Sequence, residues 1–332
     1  MEQSLNSSKF RYVLDKMHNE RMTPPLWGAY AIRELKGYAK PIWNGVSQEG
    51  KTILIVGEGG MGDEIFASKF SQIFVERGMR VIFMTHYWTS YNIIARIKTI
   101  DKVIHLTEII PSNVFTGNKP FDEYDYWVPA GEVPVALNLT QDQVPIDQYL
   151  YPTEEYITKW KRIIPPSDKF KIGVRWAGSP LHEKESIIPI KHFETLSNHL
   201  PNVELYSLHK DDGKDDISQE SNIIPLHEEN GTVWLETWDD TLAAISQLDL
   251  VISSSTSIPI VAAGLNKPVA VVVPFNRYYL WLGEKIDSEL KGCKWEVSNF
   301  WFGENVKVFK QSVKNDWDTP FTHLTSELLK SI

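Results

Sequence analysis

The chain has 332 residues, roughly twice the usual ~150 of one domain, so two compact domains are expected. Its 42% hydrophobic and 23% charged residues exclude intrinsic disorder, and a net charge of −9 excludes a global attraction to nucleic-acid phosphates. A single cysteine, Cys293, excludes an internal disulfide, fits a reducing compartment and does not suggest a metal site.

The opening MEQSLNSSKFRY is polar and lacks the apolar stretch of a secretory leader. The longest apolar runs, such as VAVVVPF from Val269, fall far short of the about 20 residues that cross a bilayer. A cytoplasmic protein with no membrane span is expected, as a monomer or homodimer.

KTILIVG, from Lys51 to Gly57, is a short β-branched run closed by glycines, which suits a buried parallel strand. Phe66, Phe70, Ile73 and Phe74 then recur at helical spacing before Gly78, a plausible helix-terminating glycine, and MRVIFMT reads as the next strand. After the proline-rich RIIPPSDKF, residues 162–170, the alternation restarts. Strand-like KIGVRW, helix-like IKHFETLSNHL, strand-like VELYSL, helix-like DDTLAAISQL, strand-like LDLVIS, a small-residue helix from Ser257 to Leu265, and PVAVVV follow in order. KDDGKDD, from Lys210 to Asp216, reads as a solvated loop, and a closing helix is expected from Thr319 or Pro320. Strands separated by helices of this length predict two Rossmann-like α/β lobes with parallel sheets. The expected boundaries are 1–155, with an extension over 1–45, then 165–315, then a helix over 316–332 that packs back on the first lobe.

IVGEGGMGDE, residues 55–64, holds a literal G-x-G-x-x-G at Gly57, Gly59 and Gly62 between the first strand and helix, the context of a dinucleotide-binding turn. Two features oppose an NAD-dependent oxidoreductase. The second strand ends in Met84, Thr85 and His86, without the acid that would hold a ribose. Asp63, directly behind the last glycine, would compete with a pyrophosphate for the helix amides and dipole. Asp63 itself reads in two ways. It is a helix N-terminal residue that stabilises its helix by roughly 0.3 to 1 kcal/mol, or a carboxylate displayed at the carboxyl edge of a parallel sheet, where it acts on a ligand as general base.

The segment PIWNG followed by GKTILIVGEGGMGDEI resembles the start of a glycosyltransferase domain found in bacterial and phage proteins. That domain often follows tetratricopeptide repeats and is distantly related to the lipopolysaccharide heptosyltransferases. The matching positions are Trp43, Gly45, Glu58, Gly60, Gly62 and Asp63. The likeness continues through IGVRWAGSP, LYSLHK, WDDTLAAISQLDLVISSSTS, AAGLNKPVAVVVPF and VKVFKQ with a later DW, covering most of residues 41–318 in order.

The resemblance implies a GT-B fold of two Rossmann-like lobes with parallel sheets facing a central cleft. It implies a metal-independent transferase without a cofactor, its donor a nucleotide-diphosphate sugar, a UDP-sugar as first guess, held by the C-terminal lobe. Asp63 would deprotonate the acceptor hydroxyl in an inverting displacement, with Glu58, Gly60, Met61, Gly62 and His86 on the acceptor side. The acceptor is a glycan, a protein or a modified nucleic acid.

On the donor side, Ser255, Thr256 and Ser257 stand where a strand passes into a helix, so their hydroxyls and free amides suit a diphosphate, or simply cap the helix. Arg175 and Lys184 are candidates to neutralise the leaving nucleotide. His209 and Lys210 follow the strand VELYSL, where the family places residues around the donor, and Arg277 lies among aromatics in PFNRYYLWLG, the aromatics reading as core. The chain also departs from the family: Ser255 and Ile260 occupy positions where an acid and a histidine are usual. That departure keeps a non-catalytic nucleotide- or carbohydrate-binding module as the alternative, beside a phage-type transferase acting on modified DNA bases.

Overall fold

The computed structural model of the protein describes residues 40–46, 48–109, 123–178, 184–200, 202–210, 213–226, 228–229, 232–233, 235–276, 278–281, 295–296 and 299–332. The chain divides into two compact units that meet in sequence at Tyr151 and Pro152.

The first unit is built from β1 (Thr52–Val56), α1 (Met61–Ser68), α2 (Ser71–Glu76), β2 (Arg80–Thr85), α3 (Trp88–Ala95), β3 (Lys102–His105) and β4 (Tyr126–Pro129). Its four described strands form one parallel sheet in the order β3-β2-β1-β4. Every residue of β1 is buried, as a central strand covered on both faces requires. Strand order reverses between β1 and β4, which puts a topological switch point at the carboxyl end of β1, immediately before the glycine turn.

The helix expected after that turn is two helices. The Ser68 hydroxyl donates to the Ile65 carbonyl at 2.7 Å and the Ser71 hydroxyl to the Ser68 carbonyl at 2.6 Å. Such local bonds compete with the helical ladder and break it at Lys69 and Phe70. Gly78 closes α2 at φ +75°, with the Met79 amide donating back to the Phe74 carbonyl at 3.0 Å.

The second unit opens with α4 (Glu154–Ile163) and β5 (Phe170–Arg175), followed by α5 (Lys191–His199), β6 (Val203–Ser207) and β7 (Ile223–Pro225). A short antiparallel pair follows, β8 (Glu228–Glu229) with β9 (Thr232–Val233). Next come α6 (Trp238–Ser246), β10 (Leu250–Ser253), α7 (Ser257–Gly264) and β11 (Val269–Val273), then β12 (Trp295–Glu296), β13 (Val306–Lys310) and α8 (Asp318–Leu328). The sheet order is β12-β13-β11-β10-β5-β6-β7, parallel throughout except for the edge strand β12. Its switch point lies between β5 and β10.

Ile172, Val174, Trp176, Phe193, Leu205, Ile252 and Val272 pack in one core with Phe321, Leu324 and Leu328 of α8. The closing helix therefore buries its apolar face in the core of its own unit. No described helix is long and apolar enough to cross a membrane.

Candidate functional site

At the first switch point the chain leaves β1 through Gly57, whose amide donates to the Met84 carbonyl at 2.8 Å. A Cβ on Gly57 would strike the Glu64 carboxylate and sit 2.6 Å from that carbonyl. Gly57→Ala is therefore expected to destabilise the first unit by about 1 to 3 kcal/mol or more, read as a lowered denaturant midpoint at unchanged slope. Gly59 takes φ +74°, a left-handed conformation that favours glycine.

Asp63 is the third residue of α1, and its Oδ2 accepts the Gly60 amide at 2.8 Å in a solvent-exposed bond. One oxygen thus caps the helix, as the first reading of Asp63 has it, and the half-buried side chain stands at the carboxyl edge of the sheet. Glu58 is buried at 4% exposure. Met61 and Gly62, in the first turn of α1, are half-buried, and the Met61 sulfur accepts the Thr89 hydroxyl at 3.3 Å.

His86 is fixed by the fully buried Glu64. One carboxylate oxygen accepts the Thr85 hydroxyl at 2.5 Å, and the other takes the His86 amide at 3.0 Å and contacts the ring Nδ1 at 2.7 Å. The His86 Nε2 is buried without a hydrogen-bond partner among the described residues. The sequence reading named His86 but missed Glu64, whose position directly behind Asp63 hid a separate task.

Also missed were Tyr87, Trp88 and His105. Tyr87 donates its hydroxyl to the Gly59 carbonyl at 3.0 Å. Burial first, then the charges of Glu64 and Asp63, hold its phenol above the ordinary value, so it remains a donor near neutral pH. The rule that singled out His86, a polar residue at or just beyond a strand's carboxyl end, reaches Tyr87 and His105 but not Trp88.

At the second switch point the Ser254 amide donates to the Arg175 carbonyl at 2.8 Å, bringing the ends of β5 and β10 together. Thr256 caps α7 by accepting the Ile258 amide at 3.3 Å. Ser257 begins the helix, half-buried. The Ser255 hydroxyl accepts the buried Trp281 indole N–H at 2.7 Å, which leaves its own hydrogen to donate elsewhere. Ser254 Oγ is fully buried and has no hydrogen-bond partner among the described residues. Ile260 is 4% exposed within the buried face of α7, where it serves as an apolar core residue.

Three of the remaining donor-side candidates, Arg175, Lys210 and His209, make structural contacts. Arg175 donates to the Leu208 carbonyl at 2.9 Å, and Lys210 to the Glu236 carbonyl at 3.1 Å. His209 is completely buried and its Nε2 accepts the Trp176 amide at 3.0 Å. Lys184 is exposed on a single 3-10 turn, and Arg277 lies outside the described residues. In the segment 274–283 the expected aromatic core is realised at Trp281, 1% exposed, but not at Phe275 and Tyr278, which are 45% and 39% exposed.

The loop read as solvated is not wholly so. Asp216 accepts the Trp176 indole N–H at 2.8 Å, and Gly213, at φ +89°, packs so closely on His209 that a Cβ there would lie 2.8 Å from the ring. Charge density alone suggested a free loop; a buried indole in need of an acceptor drew one carboxylate inward.

The chain matches no family model. It is 22% identical over 268 residues to the protein FlbA of Caulobacter vibrioides, covering 72% of this chain and 43% of that protein. The chain thus spans less than half the length of this curated relative. Among solved structures, it is similar to the E. coli ADP-heptose lipopolysaccharide heptosyltransferase II, with TM-score 0.55, 13% identity and coverage of 84% and 99% of the two chains. It is also similar to a glycosyl transferase family 9 protein of Veillonella parvula, with TM-score 0.57, 10% identity and coverage of 86% and 98%. E. coli heptosyltransferase WaaC with ADP-2-deoxy-2-fluoro heptose gives TM-score 0.52, 10% identity and coverage of 85% and 100%. The fold is the GT-B fold of these heptosyltransferases, two α/β units with parallel sheets.

Proposed function

We propose that the protein is a glycosyltransferase that moves a sugar from a nucleotide-diphosphate sugar to an acceptor hydroxyl, with inversion and with Asp63 as general base. One observation carries the reading: in each unit some of the residues singled out from sequence, Asp63 with its glycine turn in the first and Ser255 to Ser257 in the second, stand at the switch point of a parallel sheet, where open α/β folds bind ligands. In the second unit the amino end of α7 offers the half-buried Ser255 hydroxyl to a diphosphate, whose charge the helix dipole favours. In the first unit the carboxylate of Asp63 stands beside the glycine turn, ready to receive a hydroxyl proton.

The experiment is a thermal-shift panel of UDP, ADP, GDP, CMP and dTDP with NAD(H), followed by transfer assays with the sugar of the best nucleotide. ADP stands beside UDP because two of the structural neighbours are described with ADP-sugars. At 100 times its Kd a nucleotide is expected to stabilise the fold by about 2.7 kcal/mol. Response to NAD(H) alone would overturn the reading. The second reading, a binding module without turnover, is favoured by the apolar burial of Ile260; it predicts a nucleotide response with no transfer or hydrolysis.

A further inference from the structure

We propose that Trp88 is the sugar platform of the acceptor site and that the acceptor is an uncharged carbohydrate. This rests on the glycosyltransferase reading and names its acceptor class.

Trp88 is the first residue of α3, just beyond the carboxyl end of β2, and is 62% exposed. It is nevertheless held in place. Its ring stacks on His105 with centroids 3.9 Å apart and planes 14° from parallel. His105 closes β3 and is buried. The Thr107 amide donates to its Nδ1 at 3.3 Å, so Nε2 carries the proton and donates to the His86 carbonyl at 3.0 Å. The indole plane is thus fixed before a ligand arrives, which lowers the cost of ordering it on binding. A large aromatic face presented to water at the ligand edge matches the C–H face of a pyranose ring.

The neighbours of Trp88 tie it to the loop that carries Asp63. Tyr87 holds the Gly59 carbonyl and Thr89 the Met61 sulfur. Charge then selects among ring-bearing acceptors. Residues 57–64, 86–89, 106–109 and 130–132, which follow the four strands, include Glu58, Asp63, Glu64, Glu108 and Glu132 and no lysine or arginine. Carboxylates accept hydrogen bonds from sugar hydroxyls, whereas a phosphate brought to these acid-bearing segments meets like charge.

The test is saturation-transfer NMR with methyl glycosides of glucose, galactose and N-acetylglucosamine, set against glucose 6-phosphate and a DNA oligonucleotide. At least one neutral glycoside is expected to receive saturation at its ring C–H protons. Trp88→Ala should cut that signal at least fivefold, Trp88→Phe should restore part of it, and the phosphorylated probes should bind more weakly. An unchanged signal in Trp88→Ala, no neutral glycoside bound, or preference for the phosphate-bearing probes would each overturn the proposal. Nucleotide thermal shifts on the same variants separate the two claims. A nucleotide response without a sugar signal overturns the platform alone, while a Trp88-dependent sugar signal without a nucleotide response supports the platform and overturns the transferase.

Discussion

Asp63→Asn is expected to lower sugar transfer by about 10²- to 10⁴-fold, the usual contribution of a positioned general base. The substitution is nearly isosteric, and the amide oxygen can still accept the Gly60 N–H that Asp63 Oδ2 accepts at 2.8 Å. Helix α1 therefore keeps its end, and the loss of charge beside the helix terminus costs roughly 0.3 to 1 kcal/mol. The nucleotide response should be unchanged, because its proposed residues belong to the other unit. The decisive measurement is kcat against thermal midpoint: a large fall in the first with a small change in the second is the signature of chemistry rather than folding. Turnover at the wild-type rate would remove Asp63 from the base role. A matching loss of stability would assign it to the helix alone.

The largest stability effect is expected at Asp240. This residue, 1% exposed at the start of α6, accepts Lys159 Nζ at 2.6 Å and the Trp160 indole N–H at 3.0 Å on one oxygen. Its other oxygen takes the Thr237 amide at 3.1 Å and the Thr237 hydroxyl at 3.0 Å. One carboxylate thus anchors α4, caps α6 and satisfies a buried indole. Asp240→Ala returns the 40% exposed Lys159 to water but leaves the buried Trp160 indole N–H without an acceptor, at about 1 to 3 kcal/mol, and removes half of the α6 capping box, at about 0.5 to 2 kcal/mol. For a unit of this size the thermal midpoint falls by about 3 to 20 °C.

The pH dependence has a definite sign. Burial taken alone pushes the Asp240 carboxyl up, but the bonds from Lys159, Trp160 and Thr237 outweigh it and hold the group below its ordinary 3.8. A folded pKa below the unfolded one means stability present above about pH 3.8 and lost as pH falls from there toward the folded value. Asp240→Ala should flatten that part of the acid-unfolding curve; an unchanged curve and midpoint would dismiss the anchor.

Asp240 also shows what motif reading misses. Its segment was read from sequence only as the head of a helix and part of a family likeness, yet the side chain's work is structural and connects elements 80 residues apart in sequence. His209 is the converse. It stands at the ligand edge of the second sheet, as the strand pattern placed it, but its accepting nitrogen is occupied by a backbone amide. Position along a strand was legible; the partner was not.

By itself the sequence determined the two parallel sheets, the glycine turn and the acid at the head of α1. These follow from local rules: buried β-branched runs make central strands, glycine alone tolerates the turn at Gly57 and Gly59, and an acid suits a helix start. Only the tertiary structure decided that Glu64 holds His86, that Trp281 holds Ser255, and that Asp216 reaches Trp176, pairs 22, 26 and 40 residues apart. It also set Trp88 on His105. Periodicity fixes which face of a strand is buried, but strand order and loop path fix which side chains meet, and that choice is made by the packing of the whole unit.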